Sequence, residues 1–418
     1  MLAAAVPSLL TVRTVRLDSP GALLDLLPEA GGLAWVQGGE GLVGWGESTR
    51  LELSGADSSG GSGGIAQARQ WWGELVGHAE VTDDLQLPGT GLVAFGSFAF
   101  DQSAGSSVLV VPDVVVGRRG DTWWLTTIGA GHADLSARSD PRPPTGVVFA
   151  DASGSGADWM STVQRAVARI CAGELEKVVL ARDLEACADE PVDLRWPLRE
   201  LARDYPGCWA FAVDGLIGAT PEMLVRLEGG VATSRVLAGT LRRSGDANED
   251  SRRSDAMARS IKDVEEHGYG VRSVVDALGL HCASVDVPTG PFVLELRNVM
   301  HLATDVRGIV TDGATSLELV ESLHPSAAVC GSPTQVALEL IREVEGLDRG
   351  RYAGPVGWLD ASGDGEWGIA LRCAEVDRTD PRRLRLFAGC GIVAGSQPLH
   401  ELAESNAKLV PMRDALQG

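Results

Sequence analysis

The feature that most restricts the fold is a series of short apolar runs, rich in aromatic and β-branched residues. They are closed by glycine and aspartate. In residues 1–135 these are Trp35–Gln37, Leu42–Gly46, Leu92–Phe100, Val108–Val111 and Trp123–Thr127. Runs of this composition read as strands, and their Gly/Asp boundaries as turns. Residues 208–228 alternate as further hairpin strands. Strands that follow one another through tight turns pair antiparallel, whereas a parallel sheet needs a helical crossover between strands. The expected class is therefore α+β with antiparallel sheets.

Helices are expected where apolar positions recur at 3–4-residue spacing. Trp159, Val163, Ala166, Val167 and Ile170 mark one over Asp158–Ala172. A proline-free stretch, Asn248–Leu278, reads as one long helix, Thr334–Val344 as another, and His400–Leu416 as the last. Strands are expected at Val178–Ala181 and around Val356 and Ile369. Residues 54–67 read as a flexible surface loop, and 134–157 as a Pro/Gly/Ser connector with one strand inside it. Residues 1–150 form the strand-rich N-terminal part and 151–418 the remainder, with no internal repeat and no hard boundary between them.

Composition removes several function classes. A net charge of −21 disfavours nucleic acid and acidic membranes as partners. No apolar run reaches the roughly 20 residues of a membrane span. The first charge, Arg13, follows the apolar start instead of preceding it, which is the wrong order for a signal peptide. A cytoplasmic location is expected. Seven scattered cysteines without a C-x-x-C pair read as buried free thiols. Only three residues are lysine, at 177, 262 and 408, against 33 arginines. Arginine keeps its proton in a protein, while a lysine taken out of water can give its proton up, so each lysine calls for its own explanation.

Two acidic pairs stand at i, i+3 on expected helices: Asp263 with Glu266, next to His267, and Glu401 with Glu404. Each pair shares a helix face. If the helices meet, four carboxylates suit an oxygen-liganded Mg²⁺; separately, such pairs more often decorate a solvated face. Lys408 lies one turn beyond Glu404, and Gly389 and Gly391 sit in the turn before that helix, where glycine lets backbone N–H groups approach an anion. Lys177 stands at the mouth of an apolar strand, where loss of water would favour a neutral, basic amine; the alternative is a lysine with its tip in solvent. Glu222 follows Gly218-Ala-Thr-Pro221 and precedes Met-Leu-Val. It is either a carboxyl kept protonated by apolar surroundings or a surface turn residue.

Taken in order, EKVVLAR, GATPEML, LAGTLRR, S-x-KDVEEH, LHPSAAVCGSP, VGW…GDGEW…IALRCA, AGCGIVAGS and the closing E-x-x-E-x-x-x-K resemble the motifs of the chorismate-utilising enzymes. These include isochorismate synthases, salicylate synthases and the chorismate-binding subunits of anthranilate and aminodeoxychorismate synthases. The likeness is strong over about residues 155–415, and GLVGWGES and FGSFAF extend it toward isochorismate synthases. All three lysines fall inside these motifs.

The resemblance implies a large antiparallel β-sandwich wrapped by helices, with the site between the sheets and residues 151–418 as the catalytic region. It implies Lys177 as general base and Glu222 as general acid. Glu266 and Glu404 would hold Mg²⁺, with Asp263 and Glu401 alongside. The cation, Lys408 and the backbone near Gly389 and Gly391 would meet the ring carboxylate of chorismate, and Arg372 and Tyr352 the enolpyruvyl carboxylate. Gly239, Thr240 and His301 would line the site. The small pair Ala328-Val329 resembles enzymes that stop at isochorismate, where salicylate synthases carry threonine in place of Ala328. The resemblance further implies a monomer, in a menaquinone or siderophore route, whose alternatives are a salicylate synthase or an ammonia-dependent synthase subunit. Gly268 and Gly270 depart from the family pattern. Each costs a helix about 1 kcal/mol relative to alanine, so local loosening is expected there.

Overall fold

The computed structural model describes residues 9–55, 63–131, 133–136 and 138–418, apart from the side chains of Ala238, Thr240, Arg242, Ile261, Lys262, Asp263, Glu265 and Glu266. Among these residues thirteen strands form one sheet and ten a second. The larger sheet runs from Val148–Asp151 through Lys177–Cys187, Arg383–Ile392, Cys373–Val376, Leu216–Thr220, Trp209–Val213, Leu33–Gln37, Glu40–Trp45, Val114–Arg119, Thr122–Ile128 and Leu10–Leu17 to Ala79–Asp83. Gly331–Ser332 adds to the Lys177 end of its strand. The second sheet is ordered Cys282–Asp286, Val299–Val310, Val231–Arg242, Met223–Glu228, Gly365–Ile369, Pro355–Asp360, Val93–Ser97, Ser107–Val111 and Thr49–Leu53, with Phe292–Glu295 also on Val299–Val310. The described ladders are antiparallel except Leu10–Leu17 with Ala79–Asp83. The α+β antiparallel sandwich is therefore the observed architecture.

The middle of the larger sheet is buried on both faces. Along Trp209–Val213, Trp209, Phe211 and Val213 face the second sheet, where they join Phe95, Trp358 and Trp367. Ala210 and Ala212 face the other way, into a cluster with Leu198 and Leu201 of the Arg195–Asp204 helix and Leu409, Met412 and Leu416 of the last helix. A strand covered on both sides has no solvent face, so its sequence is a continuous apolar run.

In each sheet the strands of residues 10–128 form one contiguous block and meet the later strands at a single seam. Leu33–Gln37 pairs with Trp209–Val213, and Val93–Ser97 with Pro355–Asp360. Trp35 donates its indole N–H across the sandwich to Glu366 at 2.8 Å.

Several local expectations are corrected. The strand expected at Val178–Ala181 extends over Lys177–Cys187. Part of the 54–67 loop, residues 64–67, opens the helix Gly64–Gly77, whose buried Ile65, Ala68, Trp71, Trp72 and Leu75 have helical spacing; residues 56–62 lie outside the described residues. The single helix over Asn248–Leu278 is two, Ala247–Arg259 and Ile261–Leu278. Between them Ser260 takes extended angles, donates its N–H to Met257, and accepts from Val264 at 3.0 Å. Serine ends one helix and starts the next because it favours N-cap geometry over helix interior. The last helix runs Pro398–Gln417, begun by a proline whose missing N–H costs nothing at the first turn. Of the seven cysteines all are free; Cys208, Cys330, Cys373 and Cys390 are buried, but Cys171 is exposed and Cys187 and Cys282 half-buried. Among the described residues no helix is long and apolar enough to cross a membrane.

Gly270 has a packing reason that the sequence did not show. A Cβ there would lie 2.8 Å from Cγ1 of Val236 on the second sheet, so the glycine lets the helix settle against the strand. At Gly268 the nearest group is the tip of the Arg272 side chain. Gly268→Ala is therefore expected to stabilise the protein by up to about 1 kcal/mol through helix propensity. Gly270→Ala is expected to destabilise it by about 1 kcal/mol or more through overpacking. Urea unfolding midpoints of the two variants should move in opposite directions.

Candidate active site

The chain passes from one sheet to the other at two neighbouring corners. Leu216–Thr220 ends in the larger sheet, Pro221 and Glu222 turn, and Met223–Glu228 continues in the second. Beside it Gly365–Ile369 leaves the second sheet, and Cys373–Val376 enters the larger after Ala370, Leu371 and Arg372. The corners are tied: Ile369 N–H donates to the Glu222 carbonyl at 3.2 Å, and Ala219 N–H to the Arg372 carbonyl at 3.3 Å. Proline serves such a corner because it needs no N–H acceptor. Arg372 adopts φ +49°, a left-handed conformation that only the surrounding packing sustains.

Glu222 is thereby an interior residue, 5% exposed, and not a surface turn residue. Burial pushes its carboxyl up to about 7; a hydrogen bond from the Leu237 backbone and the charges of Lys177, Arg372 and Lys408 pull the other way without prevailing. Lys177, 2% exposed, opens its strand opposite Ser332. Both side chains line one cavity of about 320 Å³.

The cavity floor comes from the second sheet. Between Val231–Arg242 and Val299–Val310 the register slips by one residue at Gly239, which sits at φ +70°. This is a β-bulge with glycine in the left-handed region. It turns the Gly239 carbonyl onto Nδ1 of His301 at 3.1 Å. With Nδ1–H donating, Nε2 accepts from Nη2 of Arg372 at 3.2 Å. Burial and the Arg372 charge hold the His301 imidazole well below its usual range, so it is neutral and orients the guanidinium.

The roof comes from the last helix and the strand before it. The Lys408 ammonium donates to the Gly389 carbonyl at 2.8 Å and pairs with Glu404 at 2.6 Å. Glu401, Glu404 and the Cys390 thiol place ligand atoms within 4.8 Å of one another. Gly389 packs so closely that a Cβ would lie 2.9 Å from the Tyr352 hydroxyl and 3.0 Å from the Leu180 carbonyl. Tyr352 itself stacks on Phe387, ring centroids 5.0 Å apart.

Residues 36–417 match the sequence profile of the chorismate binding enzymes. The chain belongs to that family. Isochorismate synthase DhbC of Bacillus subtilis (strain 168) is 40% identical over 271 residues, 62% of this chain and 67% of that one. Isochorismate synthase MenF of the same strain is 36% identical over 265 residues, covering 62% and 56%. The match thus spans between half and two thirds of these relatives' length. The solved structure of DhbC from Bacillus anthracis superposes with a TM-score of 0.78 at 31% identity, over 95% of this chain and 99% of that one.

In this chorismate binding enzyme the expected residues Gly239, His301, Ala328, Val329, Tyr352 and Arg372 line the same cavity as Lys177 and Glu222. Gly389, Gly391, Lys408, Glu401 and Glu404 line it as well. The side chains of Thr240, Asp263 and Glu266 lie outside the described residues; the backbone of the last two belongs to the Ile261–Leu278 helix. His267, one residue on, is buried with Nε2 2.7 Å from Oγ1 of Thr304, and burial lowers it to about 4. Gln397, His400 and Arg349 also line the cavity and were not singled out from sequence. Gln397 and His400 flank the Glu401 pair and could have been found by extending that motif. Arg349, one arginine among 33, carried no such signal.

Glu222 makes stability depend on pH. Its folded pKa of about 7 lies above the ordinary 4.5, so the folded chain binds the extra proton between these values. Stability is full below about 4.5 and is lost as pH rises to about 7, by on the order of 3 kcal/mol. Glu222→Gln should remove that loss. Denaturant midpoints compared from pH 4.5 to 8 should show the wild type falling relative to the variant.

Proposed function

We propose that this chain is a Mg²⁺-dependent isochorismate synthase. The observation that carries the reading is the pairing of a buried lysine and a buried, proton-retaining carboxyl on the walls of one cavity. The names of the relatives, DhbC and MenF among them, support the same activity.

Lys177, as the general base, takes a proton from a water molecule as the water oxygen bonds to C2 of chorismate. The ring double bonds shift, the C4–oxygen bond breaks, and Glu222 protonates the departing hydroxyl, which leaves as water. One water enters and one leaves, so the product is the isomer isochorismate. A carboxyl raised to about 7 is about half protonated at neutral pH and gives up its proton readily, which suits a general acid. Arg372, oriented by His301, and Tyr352 would receive the enolpyruvyl carboxylate. Gly389, Gly391 and Lys408 would receive the ring carboxylate.

The oxygen donors of Glu401 and Glu404 suit a hard cation. In this reading Glu266 and Glu404 hold Mg²⁺, with Asp263 and Glu401 alongside. When bound, the cation neutralises substrate carboxylate charge that a protein of net charge −21 would otherwise repel. Glu404 would then exchange part of its pairing with Lys408 for the metal.

The test is incubation with chorismate and Mg²⁺, with and without ammonium, followed by product separation and mass measurement. Isochorismate alone, abolished by EDTA, is the expected result. Salicylate with pyruvate, or an aminated product that needs ammonium, would replace this reading by another reaction of the family. Lys177→Ala should lower turnover by roughly 10²–10⁴-fold, and near-normal turnover would remove Lys177 as the base. Glu404→Gln should raise the Mg²⁺ concentration needed for half-maximal rate; an unchanged titration would remove Glu404 from the metal site. On raising pH through about 7, the Glu222 limb of the rate profile should fall.

A further inference from the structure

Arg349 lines the cavity yet has almost nothing left to offer a ligand. Its Nε–H donates to Oε1 of Glu345 at 2.6 Å and Nη2 to Oε2 at 2.6 Å. Nη2 also donates to the Val179 carbonyl at 2.7 Å, and Nη1 to the Val329 carbonyl at 3.0 Å. Four of the five N–H groups of a guanidinium are thus committed. The group also lies 4.2 Å from the Phe100 ring centroid. Both members of the ion pair are buried, at 3% and 1% exposure.

The position of the pair explains its form. The Lys177 strand is bonded on one side to Arg383–Ile392 along its length. On the other side Gly331–Ser332 covers only Lys177 and Val178, with Val179 N–H reaching Cys330 at 2.8 Å, and Val148–Asp151 begins only at Leu184. The strand edge between them needs a donor for the Val179 carbonyl, an acceptor for Ala181 N–H and a donor for the Ala181 carbonyl, the last met by the Trp159 indole at 3.2 Å. Arg349 supplies the donor to the Val179 carbonyl, and Oε2 of Glu345 accepts from Ala181 N–H at 2.8 Å. An ion pair stands where a strand is missing. Through Val329 the same guanidinium fixes the Ala328-Val329 wall against the strand that starts at Lys177.

We infer that the Arg349–Glu345 pair is a positioning device for the reaction, setting the Lys177 strand and the Ala328-Val329 wall in register without touching substrate. This rests on the proposed chorismate chemistry. Of the groups proposed to receive the substrate carboxylates, Arg372 and Lys408 lie on other elements, while Tyr352 shares a turn with Arg349, its N–H donating to the Arg349 carbonyl at 2.9 Å by a main-chain bond that the side-chain variants leave in place. Disturbing the pair therefore lowers kcat more than it raises KM.

The test separates positioning from mere stability. Removing one partner strands the other charge in the interior, whereas removing both together relieves that penalty. Arg349→Met, the double variant Arg349→Met/Glu345→Leu, and the milder Glu345→Gln are compared with wild type for melting temperature, kcat and KM on chorismate. The double variant should recover melting temperature relative to Arg349→Met, yet keep a kcat roughly 10–100-fold below wild type with KM within about twofold, as expected for a base displaced by a fraction of an ångström to an ångström. Glu345→Gln, which keeps an acceptor for Ala181, should fold and lose kcat to a smaller degree. Recovery of kcat along with melting temperature in the double variant would overturn the inference, as would wild-type kcat in Glu345→Gln. A KM that rises while kcat holds would do so too. Absence of turnover in the wild type itself would instead fault the proposed reaction.

Discussion

The site depends on two strand pairs crossing between sheets side by side. A carboxylate at an ordinary hairpin turn would be hydrated. Glu222 is dry because its turn is the passage from one sheet to the other, with Arg372 on the adjoining passage and the Ile369 and Ala219 bonds holding the corners together. The left-handed Arg372 and the bulge at Gly239 are local departures from regular β geometry, and both serve the same end. They direct a guanidinium and a carbonyl into the gap that the crossing creates. Strain of this kind persists where the surrounding ladders over-determine it.

Around that gap the positive charges are buried. Lys177, Arg349, Arg372 and Lys408 are all under a tenth exposed in a strongly acidic protein. Arginine does the fixed work: Arg349 braces two backbone carbonyls, and Arg372 is held by an imidazole that stays neutral. Lysine is kept for two places in the cavity wall, one at the strand mouth and one against Glu404. The scarcity of lysine and its confinement to motifs fit these two places, since lysine brings a compact point charge on a flexible stem.

Much of this was legible in the sequence. The antiparallel class followed from strands joined by turns, and the ordered motifs carried the family. Lys177, Glu222 and the Glu401–Glu404 pair were singled out by residue type and neighbours, and the cavity gathers them. The failures are equally specific. The apolar spacing of the Gly64–Gly77 helix was present but masked by the glycine-rich run before it. The break at Ser260 depended on a cap, which composition alone does not reveal. Gly270 looked like a weak point and is a contact with Val236. Arg349 gave no signal because its role lies in two carbonyls and a carboxylate distant in sequence, and main-chain acceptors leave no mark on residue identity.

The single seam between early and late strands in each sheet bears on how the chain is made. Leu33–Gln37 has no neighbour on one side until residues 209–213 exist, and the Lys177 strand waits for residues 383–392. At roughly 5–20 residues per second of synthesis, the first half of the chain spends on the order of ten seconds or more with apolar strand edges and aromatic faces uncovered. The ladders within residues 10–128 can pair as they emerge, but the seam edge of each block stays open until the later strands exist. What covers those two seam edges during translation is therefore a separate requirement from the stability of the finished sandwich.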